Sequence, residues 1–544
     1  MTQDWPGWPD TDADRYRAAG YWAGHTFDQL LASWAVEHGD RTALVDGERR
    51  FSYAALDAEV DRIARGLRGL GVTRGDRFIV QLPNIAEFVI GWFALQRVGA
   101  VPVHAMPAHR AAEIEHLARL SGAVGYFVAD RHARFDYREL AAEVRKSRQD
   151  CAESLKHVIV VGDPGEHDFV SFADLAERGG LAPTGPTATG TADSGDLALL
   201  LLSGGTTGLP KLIPRTHDDY AYNARASAEV CGLTRDSVFL SVLPIGFNYT
   251  WCCPGALGTW CVGGTVVLAP NPSPETVFSL VEREKVTIAA VNPPLVPYLL
   301  AEYEANRPDL STLALLQVGS ARLADDLARR ITPELGVPIQ QVFGMAEGLL
   351  NYTRLDDPDE LRCTTQGVPL SPDDEIRVVD EQDNPVPDGE PGELLTRGPY
   401  TLRGYYRAAE HNVRSFTPDG FYRTGDLVRR LPSGHLIVVG RVKDQINRGG
   451  EKIPSTEVEG HLLAHPAVKG AALVGQPDAV FGEVPVAFLV CDGQPPTLRE
   501  VTAFLKERGL APYKLPTRLV LVEEFPHTAV GKIDKKVLAV RLDS

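Results

Sequence analysis

The chain of 544 residues is 44% hydrophobic and 23% charged, usage that argues against a disordered or collagen-like polymer, and at ~150 residues per folding unit it implies three or four compact subdomains. Fifty-five basic residues against 72 acidic ones leave a formal charge of −17, which argues against a surface built to grip nucleic acid. Seven cysteines with no C-x-x-C pair, and a start without a basic region followed by an apolar run, signal no zinc ribbon, disulfide framework or export, so a cytoplasmic protein is expected.

Phe27, Leu30, Leu31 and Trp34 recur at helical spacing, as do Leu56, Val60, Ile63, Ala64 and Leu67. Phe78-Ile79-Val80 reads as a strand. Phe88 to Leu95 reads as a buried helix, too short to cross a ~30 Å hydrocarbon layer, and no membrane association is expected. Pro183 to Ala192 reads as a polar linker. A strand and helix alternation follows: Val238-Phe239-Leu240, Thr265 to Leu268, a helix capped by Ser273 with Pro274 at its first position, Val286 to Ala290, Leu313 to Val318, a helix near Leu323 to Arg330, and Ile339 to Phe343 before a loop carrying Glu347. Such repeats imply parallel sheets, whose strand-end loops bind ligands. Beyond about Leu431 the pattern turns to short strands and helices, with Thr497 to Glu500 as a capping box, and reads as a small C-terminal domain.

The chemistry concentrates first in Ser203-Gly204-Gly205-Thr206-Thr207-Gly208-Leu209-Pro210-Lys211, directly after the apolar run Leu199 to Leu202. Glycines let backbone N–H groups approach an anion, hydroxyls donate hydrogen bonds, and Lys211 adds a compact positive charge, a set suited to phosphate. Leu209-Pro210 between the last glycine and the lysine argues against the G-x-x-x-x-G-K-[ST] loop of kinases and motor ATPases.

The stretch instead resembles the phosphate loop of the adenylate-forming superfamily: acyl-CoA synthetases, luciferases and the adenylation domains of nonribosomal peptide synthesis. Four further segments fall in the order that superfamily requires: Phe343 to Glu347, Tyr422 to Asp426, Gly440 to Asp444, and Gly531-Lys532. The resemblance covers nearly the whole chain. It implies an α/β protein with the adenylate-forming enzyme fold: a large N-terminal domain of sheets flanked by helices over residues 1–440, and a small mobile α+β domain over 441–544.

By this resemblance ATP and Mg²⁺ are the cofactors. Glu347 would hold the metal, as a hard cation wants carboxylate oxygen. Asp426 would accept hydrogen bonds from the ribose hydroxyls with Arg441 beside it, and Gly319, Ser320, Ala321, Gln341, Val342, Phe343 and Gly344 would frame the nucleotide. Lys532 would be the catalytic cation that holds the carboxylate and α-phosphate together. Lys443 and Asp444 mark the hinge about which the small domain, including the Gly449-Gly450-Glu451-Lys452 loop, would swing for a second step.

The wording between motifs narrows the resemblance further. Gln341 to Asp357 and Asp444 to Lys452 are similar to the stand-alone aryl-acid adenylating ligases, the 2,3-dihydroxybenzoate-AMP and salicylate-AMP ligases of siderophore and aryl-capped peptide pathways. The family places asparagine where amino-acid-activating domains place aspartate, and Asn248 occupies that position. The acid pocket implied comprises Phe247, Asn248, Tyr249, Cys253, Val318, Gly319, Ser320, Gly344, Met345 and Leu350. Asn248 could meet an ortho hydroxyl or amino group, and Cys253, where 2,3-dihydroxybenzoate enzymes commonly have serine, points towards salicylate. Phe247 replaces the family's usual histidine and Ser320 its usual glycine, which keeps 3-hydroxypicolinate and 3-hydroxyanthranilate open as substrates.

The expected partners are a small aromatic carboxylic acid and, in trans, a phosphopantetheinylated aryl carrier protein. The alternatives are an aryl-CoA ligase using free CoA, a luciferase-like oxygenase acting on the adenylate, and a non-catalytic nucleotide-binding scaffold. His217 matches a family position near the nucleotide, but a lone histidine more often makes a structural hydrogen bond. Trp251, Cys252 and Cys261 are expected in the core.

Overall fold

A computed structural model describes residues 4–147, 155–180, 192–203, 210–448, 451–478, 480–528 and 532–542. Residues 183–191 of the expected linker, Gly204 to Leu209 of the phosphate loop, Gly449-Gly450 and Gly531 lie outside them.

Two large sheets dominate the first 370 residues. In the nine-stranded sheet the central order is Ile339–Gly344, Leu315–Gly319, Ile288–Val291, Val238–Ser241, Thr265–Leu268, Thr42–Asp46, all parallel. The hairpin strand Leu350–Tyr352 runs antiparallel beside Ile339–Gly344. The seven-stranded sheet has Leu197–Leu202 between parallel Val101–His104 and antiparallel Leu212–Thr216. These central strands are buried along most of their length, as parallel strands covered on both faces must be.

The expected helices form for the reasons their sequences give. Thr26 and Gln29 close a capping box at Phe27–His38, and the Ser273 side chain accepts from Thr276 N–H ahead of Pro274–Glu284. The apolar run near Phe88 becomes the helix Ala86–Val98, and Gln96 fixes it to the seven-stranded sheet by donating to the Ala198 carbonyl at 2.9 Å. No helix among the described residues is long and apolar enough to cross a membrane.

Two expected strands begin two residues later than their apolar pattern. Lys285 ends the preceding helix in a left-handed conformation and Val286 N–H bonds back to Val281, so the strand opens at Ile288. Leu313 N–H turns back onto Leu310 in the same way, and that strand opens at Leu315.

A four-stranded antiparallel sheet follows, Glu375–Val379, Pro391–Arg397, Tyr422–Arg430, Leu436–Arg441. The change of character expected near Leu431 therefore comes later, because Leu436–Arg441 still pairs with Tyr422–Arg430. A short 3₁₀ turn, Val442–Asp444, leads into a separate five-stranded sheet built on Gln445–Arg448, Val468–Asp478 and Gly482–Cys491. This unit buries its own core of Ile446, Ile453, Val458, Leu462, Leu489, Val501 and Leu505. Its helix Leu498–Glu507 carries both halves of the Thr497/Glu500 capping box.

Candidate active site

Both motif lysines stand at the base of a closed loop. Ser203 N–H donates to the Lys211 carbonyl at 2.9 Å and Lys211 N–H to Ser203 Oγ at 3.0 Å, which pinches the ends of the glycine-rich segment together. Gly204, Gly205, Thr206, Thr207 and Gly208 themselves lie outside the described residues. Thr528 N–H donates to the Lys532 carbonyl at 2.7 Å, and Lys532 N–H to Thr528 Oγ1 at 3.2 Å.

Asp426 reaches its place through an irregularity. Leu395 pairs with Arg423 and Glu393 with Leu427, so the residues between bulge out of the ladder, with Gly425 in the left-handed region at φ 69°. On the other side Asp426 pairs in register with Arg441, whose Nε donates to Asp426 Oδ1 at 2.8 Å. One carboxylate oxygen is thus oriented by Arg441.

Glu347 sits on the loop beyond Ile339–Gly344 and is buried. Its Oε1 accepts from the Tyr405 hydroxyl at 2.8 Å, and no Lys or Arg among the described residues pairs with it. A buried carboxylate with one neutral donor and no matching cation fits a hard metal ion.

Tyr405 is the residue that sequence reasoning missed. Its hydroxyl also meets Tyr422 OH at 2.8 Å, and its ring lies 5.3 Å from the Lys211 ammonium. It joins the phosphate-loop lysine, the acidic loop and the Tyr422 to Asp426 segment through contacts spanning up to 194 residues of sequence, from 211 to 405, which no local pattern signals.

Lys532 belongs to this group. Burial and the neighbouring Arg441 push its ammonium down to about 8, while Asp426, Glu347 and Asp444 act against that shift. Lys443 lies in the 3₁₀ turn, and its pKa is also lowered, by desolvation and by Arg441. Cations and carboxylates from the 3₁₀ turn, the four-stranded sheet, the acidic loop and the small domain therefore meet in one place.

The second part of the site is apolar and closely knit. Asn248 opens the helix Asn248–Cys252 after Phe247. The buried Tyr220 hydroxyl donates to Asn248 Oδ1 at 2.7 Å, Asn248 Nδ2 lies 3.5 Å from Cys253 Sγ, and that sulfur faces the Asn248 backbone carbonyl at 3.5 Å. Burial raises the Cys253 thiol to about 12, so it remains protonated.

The Tyr249 ring packs flat enough on Gly319 that a Cβ there would lie 2.8 Å from Cζ, and only glycine allows this approach. The Tyr249 hydroxyl is buried without a partner among the described residues. Leu350 shares the Tyr249 and Cys253 core, and Met345 packs against it. Val318 lies instead in the core on the other face of the sheet. Ser320 adopts φ 71°, a left-handed conformation that explains a glycine preference at this position.

Some side chains are spent on structure. Gln341 donates to the Arg362 and Cys363 carbonyls at 3.0 Å and accepts from Gln366, so its side chain faces the fold, while Phe343 and Gly344 open towards the strand end. His217 Nδ1 accepts from Phe27 N–H at 3.2 Å, a structural bond. Trp251 and Cys252 are fully buried, and Cys261 partly. Arg215, not anticipated from sequence, is buried with its guanidinium over the Tyr220 ring at 4.8 Å, paired with Asp219 at 2.7 Å and bonded to the Ala346 carbonyl at 3.0 Å.

Residues 31–406 match the AMP-binding enzyme family and residues 457–532 the AMP-binding enzyme C-terminal domain. The 2,3-dihydroxybenzoate-AMP ligase of Bacillus subtilis is 50% identical over 99% of this chain and 97% of the relative. The salicyl-AMP ligase / salicyl-S-ArCP synthetase of Mycobacterium tuberculosis is 49% identical over 98% and 94%. The apo structure of Mycobacterium smegmatis MbtA, 48% identical, covers 99% of both chains with a TM-score of 0.76. With Lys211, Glu347, Asp426, Arg441 and the small-domain Lys532 gathered around one place, and with relatives of this closeness along its whole length, the chain belongs to the AMP-binding enzyme family and has the adenylate-forming fold.

Proposed function

We propose that this protein activates a small aromatic carboxylic acid with ATP and passes the acyl group to the phosphopantetheine thiol of an aryl carrier protein supplied in trans. The observation that carries the reading is the meeting of Lys532 with Arg441, Asp426 and Glu347 beside a pocket whose polar wall is the neutral amide of Asn248. In the first step a carboxylate oxygen bonds to the α-phosphorus and the bond to the β-phosphate breaks, releasing pyrophosphate. In the second the thiol sulfur bonds to the acyl carbon, AMP leaves, and the thiol proton is lost.

Two anions must approach in the first step, and the ammonium of Lys532, held half-buried, offsets their repulsion where charge builds up. Asp426 holds the ribose through its free oxygen. Glu347 would hold Mg²⁺, which neutralises phosphate charge when bound. Among the described residues no carboxylate bonds to the Asn248 wall to hold an α-ammonium, and the Tyr249 ring offers an aromatic face; both features favour an aryl acid over an amino acid.

Pyrophosphate exchange across benzoate, salicylate, the dihydroxybenzoates, 3-hydroxyanthranilate, 3-hydroxypicolinate and several amino acids tests this. An ortho-substituted aryl acid is expected to lead, and an amino acid in first place would overturn the assignment of Asn248. AMP release from preformed adenylate by holo carrier protein, and not by free CoA, is expected for the acceptor; release by CoA alone would make the protein an aryl-CoA ligase.

A further inference from the structure

The amide of Asn248 is held in one orientation, and that orientation has a chemical consequence. Tyr220 is wholly buried, with its hydroxyl 2.7 Å from Asn248 Oδ1. A buried hydroxyl must donate, and Oδ1 is its oxygen acceptor, with only the weakly accepting Cys252 sulfur beside it. Turning the amide over would leave the Tyr220 proton facing an NH₂ group. The Tyr220 ring is itself fixed, with the Arg215 guanidinium 4.8 Å from its centre.

The rest of the amide follows from this anchor. The Cys253 S–H has the Asn248 backbone carbonyl to donate to at 3.5 Å, which leaves the sulfur to accept from Nδ2 at 3.5 Å. One N–H of the amide is used in this way. The other has no partner among the described residues, and Asn248 is only partly buried.

Resting on the aryl-acid reading above, we infer that Tyr220 is a positioning residue that turns Asn248 into a pure hydrogen-bond donor, so that the pocket selects acids with an acceptor oxygen ortho to the carboxylate and rejects those with an ortho amine. In salicylate the phenolic proton bonds to the adjacent carboxylate and the phenolic oxygen keeps lone pairs for the amide. In anthranilate the nitrogen lone pair is drawn into the ring, and the amine opposes one donor with another. The pyridine nitrogen of 3-hydroxypicolinate is an acceptor and passes the same filter, whereas the amine of 3-hydroxyanthranilate does not.

Salicylate and anthranilate differ at one atom, so the ratio of their kcat/KM values in adenylate formation isolates this contact. The wild-type protein is expected to favour salicylate roughly 10- to 100-fold, the span of leaving a donor unpaired against a donor. Tyr220→Phe removes only the hydroxyl and frees the amide to turn, and the ratio should fall about tenfold or more with KM for ATP unchanged. Asn248→Asp should move the ratio further, to a preference for anthranilate, because both carboxylate oxygens accept. A Tyr220→Phe protein that keeps the wild-type ratio, or a wild-type protein that uses both acids equally, overturns the inference while leaving aryl-acid activation standing. A wild-type protein that activates neither acid nor any other aryl acid overturns the aryl-acid reading, and this inference with it.

Discussion

The acid pocket and the charged cradle are assembled on opposite principles. In the pocket, Tyr220, Asn248, Tyr249 and Cys253 come from two neighbouring segments, are mostly buried, and hold one another by short local bonds. In the cradle, Lys211, Glu347, Asp426, Arg441 and Lys532 come from five separate segments, and the largest influences on Lys532 are burial and charges belonging to other elements. On the proposed reading, selectivity would rest on groups fixed in advance, and the reaction on charges brought together from a distance.

This contrast is broken most directly at Lys532. Lys532→Ala should lower adenylate formation ~10²-fold or more and leave the salicylate to anthranilate ratio untouched, as measured by pyrophosphate exchange. Thioester formation from supplied adenylate should survive. An equal loss in both half-reactions would mean that Lys532 acts through the fold.

The pH profile sharpens the same point. A lysine with its pKa pushed down to about 8 is charged below that value and neutral above it. Adenylation kcat/KM should therefore hold level below about pH 8 and fall roughly tenfold by pH 9, since a titrating group loses its charged form tenfold per unit beyond its pKa. Rotating Lys532 away from Arg441 removes part of that shift, so the thioester step should lack this limb.

Tyr405→Phe tests whether the cradle needs a fixed anchor of its own. Loss of a hydrogen bond to a charged carboxylate, about 1.5 kcal/mol at the low end, should weaken kcat/KM for ATP up to roughly tenfold. The half-saturating Mg²⁺ concentration should rise, and a metal titration read by intrinsic fluorescence checks this apart from turnover. The smallest effect is expected at Ser320→Gly, which relieves a left-handed non-glycine residue by about 1 kcal/mol. Thermal melting should rise by about 1 °C for a chain of this size.

The sequence displayed the cradle better than the pocket's wiring. Glu347, Asp426 and Lys532 are legible because each lies in a short run whose composition reports its chemistry, and the strand and helix alternation put Glu347 at a strand end. The linkage among them was not legible. Tyr405 earns its place by touching residues 58 and 17 positions away, and a tyrosine after Gly404 looks like any other. The use of the Gln341 side chain was hidden for a related reason: it donates to the Arg362 and Cys363 carbonyls, a contact that its motif does not display. Tyr220 was likewise invisible, because its effect passes through Asn248 and depends on which end of an amide faces which way.

The place where the chain leaves the four-stranded sheet matters for the order of events. Arg441 is the last residue of Leu436–Arg441 and is locked to Asp426 across the ladder, and the 3₁₀ turn begins at the next residue, Val442. On the proposed two-step reading, a pivot at that turn would divide the cationic set: the guanidinium would stay moored to Asp426 while the ammonium departs with the outer lobe. The nucleotide end of a freshly made, hydrolysable adenylate would then keep its berth throughout the changeover, and the vacated corner would become the doorway for the incoming thiol.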